Sequence, residues 1–121
     1  MVYLLGVSLP DKKPAHIALQ SVFGVGPANA ERICNALYIH KHCRLGDLSE
    51  NKLTKVAGLL SKMTIEAELR REVKGNVERL VRIGTYRGAR HAAHLPLTGR
   101  TQTNGQTAKR LNGRGLRKFS T

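Results

Sequence analysis

The chain has 121 residues, with 21 Lys+Arg against 8 Asp+Glu and a formal net charge of +13. That length gives room for one domain, and the charge exceeds what solubility requires, so a polyanion is the leading partner. No run of about 18 apolar residues exists to span a membrane, and two cysteines are too few for a disulfide scaffold, which makes a reducing compartment the default. Met1 to Pro10 has neither a basic leader nor a small-residue cleavage site, and no Arg precedes Arg32, so no secretory signal or clear mitochondrial presequence is read there.

In chain order, residues 2–9 read as a short strand or a docked extended arm. Pro14 suits the first position of a helix over about 14–21, with Ile17, Ala18 and Val22 facing inward. Phe23-Gly24-Val25-Gly26 is a tight turn, and Pro27 opens a second helix over about 27–37. Its stripe is Ala30, Ile33, Cys34 and Leu37, at i, i+3, i+4 and i+7. A polar loop follows. Asp47 or Ser49 caps a third helix in which Leu53, Val56, Ala57 and Leu60 repeat the spacing as far as Lys62. Thr64 is the candidate cap of the longest helix, about 65–83. Leu69, Val73, Val77, Leu80 and Val81 form its expected buried stripe, and Gly84 its C-terminal cap.

Beyond Gly84 the periodicity fades after a short helical turn around Tyr86–His91. Residues 1–83 carry 13 basic and 8 acidic side chains; residues 84–121 carry 8 basic and none acidic. The fold class expected is therefore all-α, a small helical bundle over residues 1–84 followed by an extended basic tail over 85–121. The tail lacks the apolar content for a core and is expected to order along a charged partner.

Four constellations carry possible chemistry. Gly24 and Gly26 before a helix fail as a dinucleotide fingerprint, since Asn29 stands at the third glycine position and a helix precedes. They fit better a helix–hairpin–helix, whose second helix offers backbone N–H groups to phosphate, or simply a tight interhelical turn. His40, His42 and Cys43, with Cys34 nine residues before Cys43, lack the paired spacing of a zinc site, so no metal or cofactor is expected. Arg70, Arg71 and Lys74, with Arg79 and Arg82, are interleaved with Glu66, Glu68, Glu72 and Glu78. They read equally as a solvated ion-paired face or a phosphate-contacting one. The strongest signal is Tyr86-Arg87-Gly88-Ala89-Arg90-His91, then Arg100, Lys109, Arg110, Arg114, Arg117 and Lys118. Single-sign charge with Gly, Thr and Asn points to a nucleic-acid backbone. Only five aromatics and no Trp argue against a base-stacking sheet. No catalytic constellation is found, so the chain is not read as an enzyme.

Leu69-Arg70-Arg71-Glu72, Tyr86-Arg87-Gly88-x-Arg90-His91-x-x-x-Leu95-Pro96 and Gly99-Arg100-Thr101-x-Thr103-Asn104, following the Phe23–Gly26 hairpin, resemble the small-subunit ribosomal protein S-thirteen family. The resemblance runs from Tyr3 to about Asn112. Met63-Thr64-Ile65-Glu66 and Thr107-Ala108-Lys109-Arg110-Leu111-Asn112 look most like fungal mitochondrial members.

The resemblance implies a helix–two-turns–helix element in the head of the mitochondrial small subunit. It implies rRNA contacts by Arg87, Arg90 and His91, and contacts of Arg114, Arg117 and Lys118 with rRNA or the peptidyl-site tRNA. It also implies protein S-nineteen as a neighbour and large-subunit protein L-five across an intersubunit bridge. The competing readings are a free basic RNA-binding module and a helix–two-turns–helix DNA-repair enzyme. The second would need a nucleophile and an extrusion pocket; Val2 stands where an N-terminal proline would serve, and no four-cysteine zinc element appears.

Overall fold

The structure, a computed structural model, describes residues 1–100. Two compact units divide the chain, Met1–Leu69 and a second beginning at Arg70. The all-α expectation is corrected at the outset: two strands precede the helices. β1 (Val2–Leu4) and β2 (Val7–Leu9) pair antiparallel, with Val2 opposite Leu9, Tyr3 opposite Ser8 and Leu4 opposite Val7. Period-two alternation puts the four apolar partners on one face, where Leu4 and Leu9 are buried. The turn residues Leu5 and Gly6 have φ of +50° and +79°. This is the two-residue turn whose twist matches paired strands.

α1 (Ala15–Ala18) is only one turn and tightens into a 3-10 turn at Leu19–Ser21. Pro14 stands just before the helix as its cap rather than within it. Ala18 and Val22 are buried as expected, but Ile17 is 42% exposed, because the buried side of so short a helix is set by Ala15, Ala18 and Leu19. The segment before α1 lies beside a later loop. The Ala15 amide donates to the Cys43 carbonyl (2.9 Å), and the Leu45 amide donates to that of Lys13 (3.1 Å).

α2 (Pro27–Ala36) begins with proline behind the Gly26 cap and buries Ala30, Ile33 and Cys34. It ends in a Schellman motif: the Ile39 amide reaches the Cys34 carbonyl (2.9 Å), the Tyr38 amide that of Asn35 (3.3 Å), and Tyr38 takes φ +53°. After a 3-10 turn at Leu45–Asp47, Ser49 opens α3 (Glu50–Ser61), which buries Val56 and Leu60. The core of the first unit gathers these side chains with Leu19, Val25, Leu45 and Ile65.

α4 (Glu66–Arg82) starts one residue later than the spacing predicts, and its first residue has φ +48°. The cause is a reciprocal pair of hydrogen bonds. The Glu66 amide donates to the Phe23 carbonyl (2.9 Å), and the Phe23 amide donates to Glu66 Oε1 (2.7 Å). The expected buried stripe of α4 is not buried: none of its residues is, Leu69, Val77, Leu80 and Val81 are half-buried, and Val73 is exposed. Periodicity reports that a helix has an apolar side, not that something covers it. In the second unit Gly84 (φ +76°) closes α4 as predicted, and Thr85 caps α5 (Tyr86–Ala92). The predicted extended tail falls mostly on residues 101–121, outside the described residues.

Candidate nucleic-acid interface

The motif that dominates the sequence lies on α5, and α5 is built by its own backbone demands. Thr85 Oγ1 accepts from the Gly88 amide (3.1 Å) and donates to the Leu80 carbonyl (3.1 Å), tying the start of α5 to the end of α4. Gly88 is buried against that helix end; an added Cβ would lie 2.5 Å from the Leu80 carbonyl carbon and 2.7 Å from Val81 Cα. The glycine is therefore required by close backbone approach within the chain itself. α5 ends in a second Schellman motif, with the Leu95 amide on the Arg90 carbonyl (3.0 Å) and the His94 amide on that of His91 (3.1 Å), and His94 at φ +57°. Arg90, half-buried, donates from Nε to the Pro96 carbonyl (2.9 Å), which holds the segment after the cap.

The predicted RNA-binding residues thus separate into two groups. Arg70, Arg71, Lys74, Arg87 and Arg100 are exposed. On α4, Lys74 reaches Glu78 at 3.8 Å, an ion pair of the kind the spacing suggested. Gly88 and His91 are buried, the latter 9% exposed, and Arg90 is partly engaged inward. Gly24 and Gly26 sit at the turn before α2. Gly24 has φ +102°, and a Cβ there would come within 2.8 Å of the Leu69 side chain. Gly26 is extended, with open space around it. Thr101, Thr103, Asn104, Lys109, Arg110, Arg114, Arg117 and Lys118 lie outside the described residues. Sequence reasoning missed Thr85, although a threonine after the helix-stopping Gly84 and three residues before Gly88 is an N-cap signature.

The His/Cys loop is laid out as a turn. The Cys43 amide donates to the His40 carbonyl (3.0 Å), and the His40 and His42 ring centroids are 5.4 Å apart. Among the described residues no three His, Cys, Asp or Glu side chains are grouped to share a metal ion. Burial pushes the Cys34 thiol above its ordinary range, with Cys43 and Glu31 adding to the effect. That favours a neutral core thiol over a thiolate ligand.

With this geometry in place, comparison with known proteins is specific. Residues 3–107 match the model of the family described as ribosomal protein S13/S18. Small ribosomal subunit protein uS13m of Schizosaccharomyces pombe is 49% identical over 113 residues, covering 93% of this chain and 75% of that protein. The match takes in the hairpin turn, the Thr85-capped corner and the Arg-Gly-x-Arg-His helix together, and the chain belongs to the ribosomal protein S13/S18 family.

Proposed function

We propose that the chain is a structural, non-enzymatic constituent of the mitochondrial small ribosomal subunit, seated in its head and bound to small-subunit rRNA. The observation that carries this is family membership across residues 3–107, joined to 49% identity with a protein named for the small ribosomal subunit, uS13m, whose suffix denotes the mitochondrion. The absence of acidic residues from 84 to 121 supports the rRNA reading. In this proposal residues 1–84 are a positioning head and 85–121 an rRNA-binding tail. Arg70, Arg71, Lys74, Arg87, Arg100 and the tail cations take phosphates. The finer roles follow the family resemblance: an intersubunit bridge facing protein L-five, protein S-nineteen as neighbour, and a tail directed to the peptidyl-site tRNA.

In this proposal Arg87 and Arg90 take different tasks. Arg87 presents its guanidinium outward, whereas Arg90 spends Nε–H on the Pro96 carbonyl and fixes how the chain leaves α5. Binding of the full chain to a mitochondrial small-subunit rRNA transcript, measured across a salt series, separates them. Arg87→Ala is expected to weaken binding and reduce the log–log salt slope by about 0.7–0.9. Arg90→Ala is expected to change the slope by less than half of that, while amide exchange at His94 and Leu95 accelerates about tenfold. Equal slope losses would make Arg90 a phosphate ligand like Arg87, and a native chain that does not bind the transcript would refute the rRNA reading.

A further inference from the structure

We propose that the outer face of α3 is a second docking surface for an RNA phosphodiester backbone, separate from the motif on α5 and from the tail; the inference rests on the rRNA-binding reading above. Asn51, Lys55, Gly58 and Lys62 recur at i, i+4, i+7 and i+11, which places them in one narrow strip along the helix. All four are exposed, as are the flanking Thr54 and Ser61. The opposite side carries the buried Val56 and Leu60. From residue 50 to residue 65 the chain has three lysines, Lys52, Lys55 and Lys62, and one acidic residue, the exposed Glu50 at the first position of α3. Among the described residues neither Lys55 nor Lys62 forms an ion pair. α4 differs in degree, since there Glu66, Glu68, Glu72 and Glu78 are interspersed with the cations, whereas the single glutamate of α3 stands at its first position.

Gly58 is as open as Gly75 of α4, and differs from it in standing between two lysines with no carboxylate on either side within the turn. A glycine inside a helix is unfavourable relative to alanine, and the fold gives no return for it here. Its φ is not positive, and a Cβ would meet nothing within 4 Å. What the glycine provides is a stretch of helix without a side chain between two lysines about 10 Å apart along the axis, its carbonyl accepting from the Ser61 hydroxyl (2.9 Å). A sugar–phosphate chain can approach such a stretch more closely than any side chain would allow. Lys and Asn are side chains that contact phosphate and sugar oxygens; the flanking Thr54 and Ser61 hydroxyls instead donate to the Glu50 and Gly58 carbonyls (2.9 Å each). The strip has no exposed aromatic or aliphatic anchor of the kind that centres a protein–protein interface. RNA backbone is therefore the occupant that fits.

The test uses the full chain and a mitochondrial small-subunit rRNA transcript, with binding measured from low to high salt. Replacing Lys55 and Lys62 together by Gln should weaken binding at least about tenfold and reduce the salt slope by about 1.4–1.8. Gly58→Gln should raise the thermal midpoint by a few degrees, because Gln is a better helix former, while weakening binding about fivefold or more. Opposite signs in stability and binding cannot come from misfolding. If both variants bind like the native chain, the docking surface is refuted while the rRNA reading stands. Normal RNA binding with lost subunit incorporation would assign the face to an acidic protein instead and would equally overturn the proposal. Failure of the native chain to bind would refute the rRNA reading itself.

Discussion

Gly88→Ala is expected to lower the stability of the α4–α5 corner by about 1–3 kcal/mol, the usual cost of forcing atoms into a packed site. The clash is with backbone, the Leu80 carbonyl and Val81 Cα, so no rotamer change relieves it. Moving α5 away would also break the Thr85 bonds to the Gly88 amide and the Leu80 carbonyl. The outward aim of Arg87 depends on that corner, so rRNA binding should fall with stability. Gly75→Ala is the matched control. It lies inside α4 with nothing within 4 Å of the added carbon, and should be neutral or stabilising by up to about 1 kcal/mol. Thermal denaturation of the two variants checks the contrast; equal midpoints would mean that the corner yields without cost.

Neutralising the tail is expected to have the largest effect on binding. Changing Lys109, Arg110, Arg114, Arg117 and Lys118 to Gln removes five of the eight cations in residues 84–121. If each meets one phosphate, the salt slope should fall by about 3.5–4.5, and affinity near 0.1 M salt by about a hundredfold or more. The variant's thermal midpoint should be unchanged, because among the described residues the hydrophobic core consists of residues no later than Ile65. A slope change below about 1 would mean that the tail does not track rRNA, and that the exposed cations of α4 and α5 carry the contact.

The parts of the fold that the sequence revealed are those whose local chemistry and burial agree. α2 and α3 pair a sustained apolar spacing with a recognisable start, Pro27 behind Gly26 and Ser49, and both were legible to within a residue or two. The hairpin was not, because its turn puts Leu5 at φ +50°, a position where Asn, Asp or Gly is the usual signal. Ile17 misled because one turn of helix is too short for periodicity to identify the inward side. The Arg-Gly-x-Arg-His segment is legible in the sequence, but the internal contacts of its residues are not. Arginine is as good a donor to a carbonyl as to a phosphate, and glycine serves an internal helix contact as well as an external one. The Pro96 and Leu80 contacts show an internal use for each, one Arg90 N–H and the close approach at Gly88, which the sequence alone does not reveal. The α4 stripe shows the same limit, since its apolar spacing is real and its burial partial.

Sucrose-gradient sedimentation of the tagged chain, from mitochondrial and cytosolic lysates at low and high salt, tests the central assignment most directly. Stoichiometric co-migration with mitochondrial small subunits and monosomes that survives high salt is the predicted result. Release to the top of the gradient after a small rise in salt, or co-migration with cytosolic particles, would contradict it.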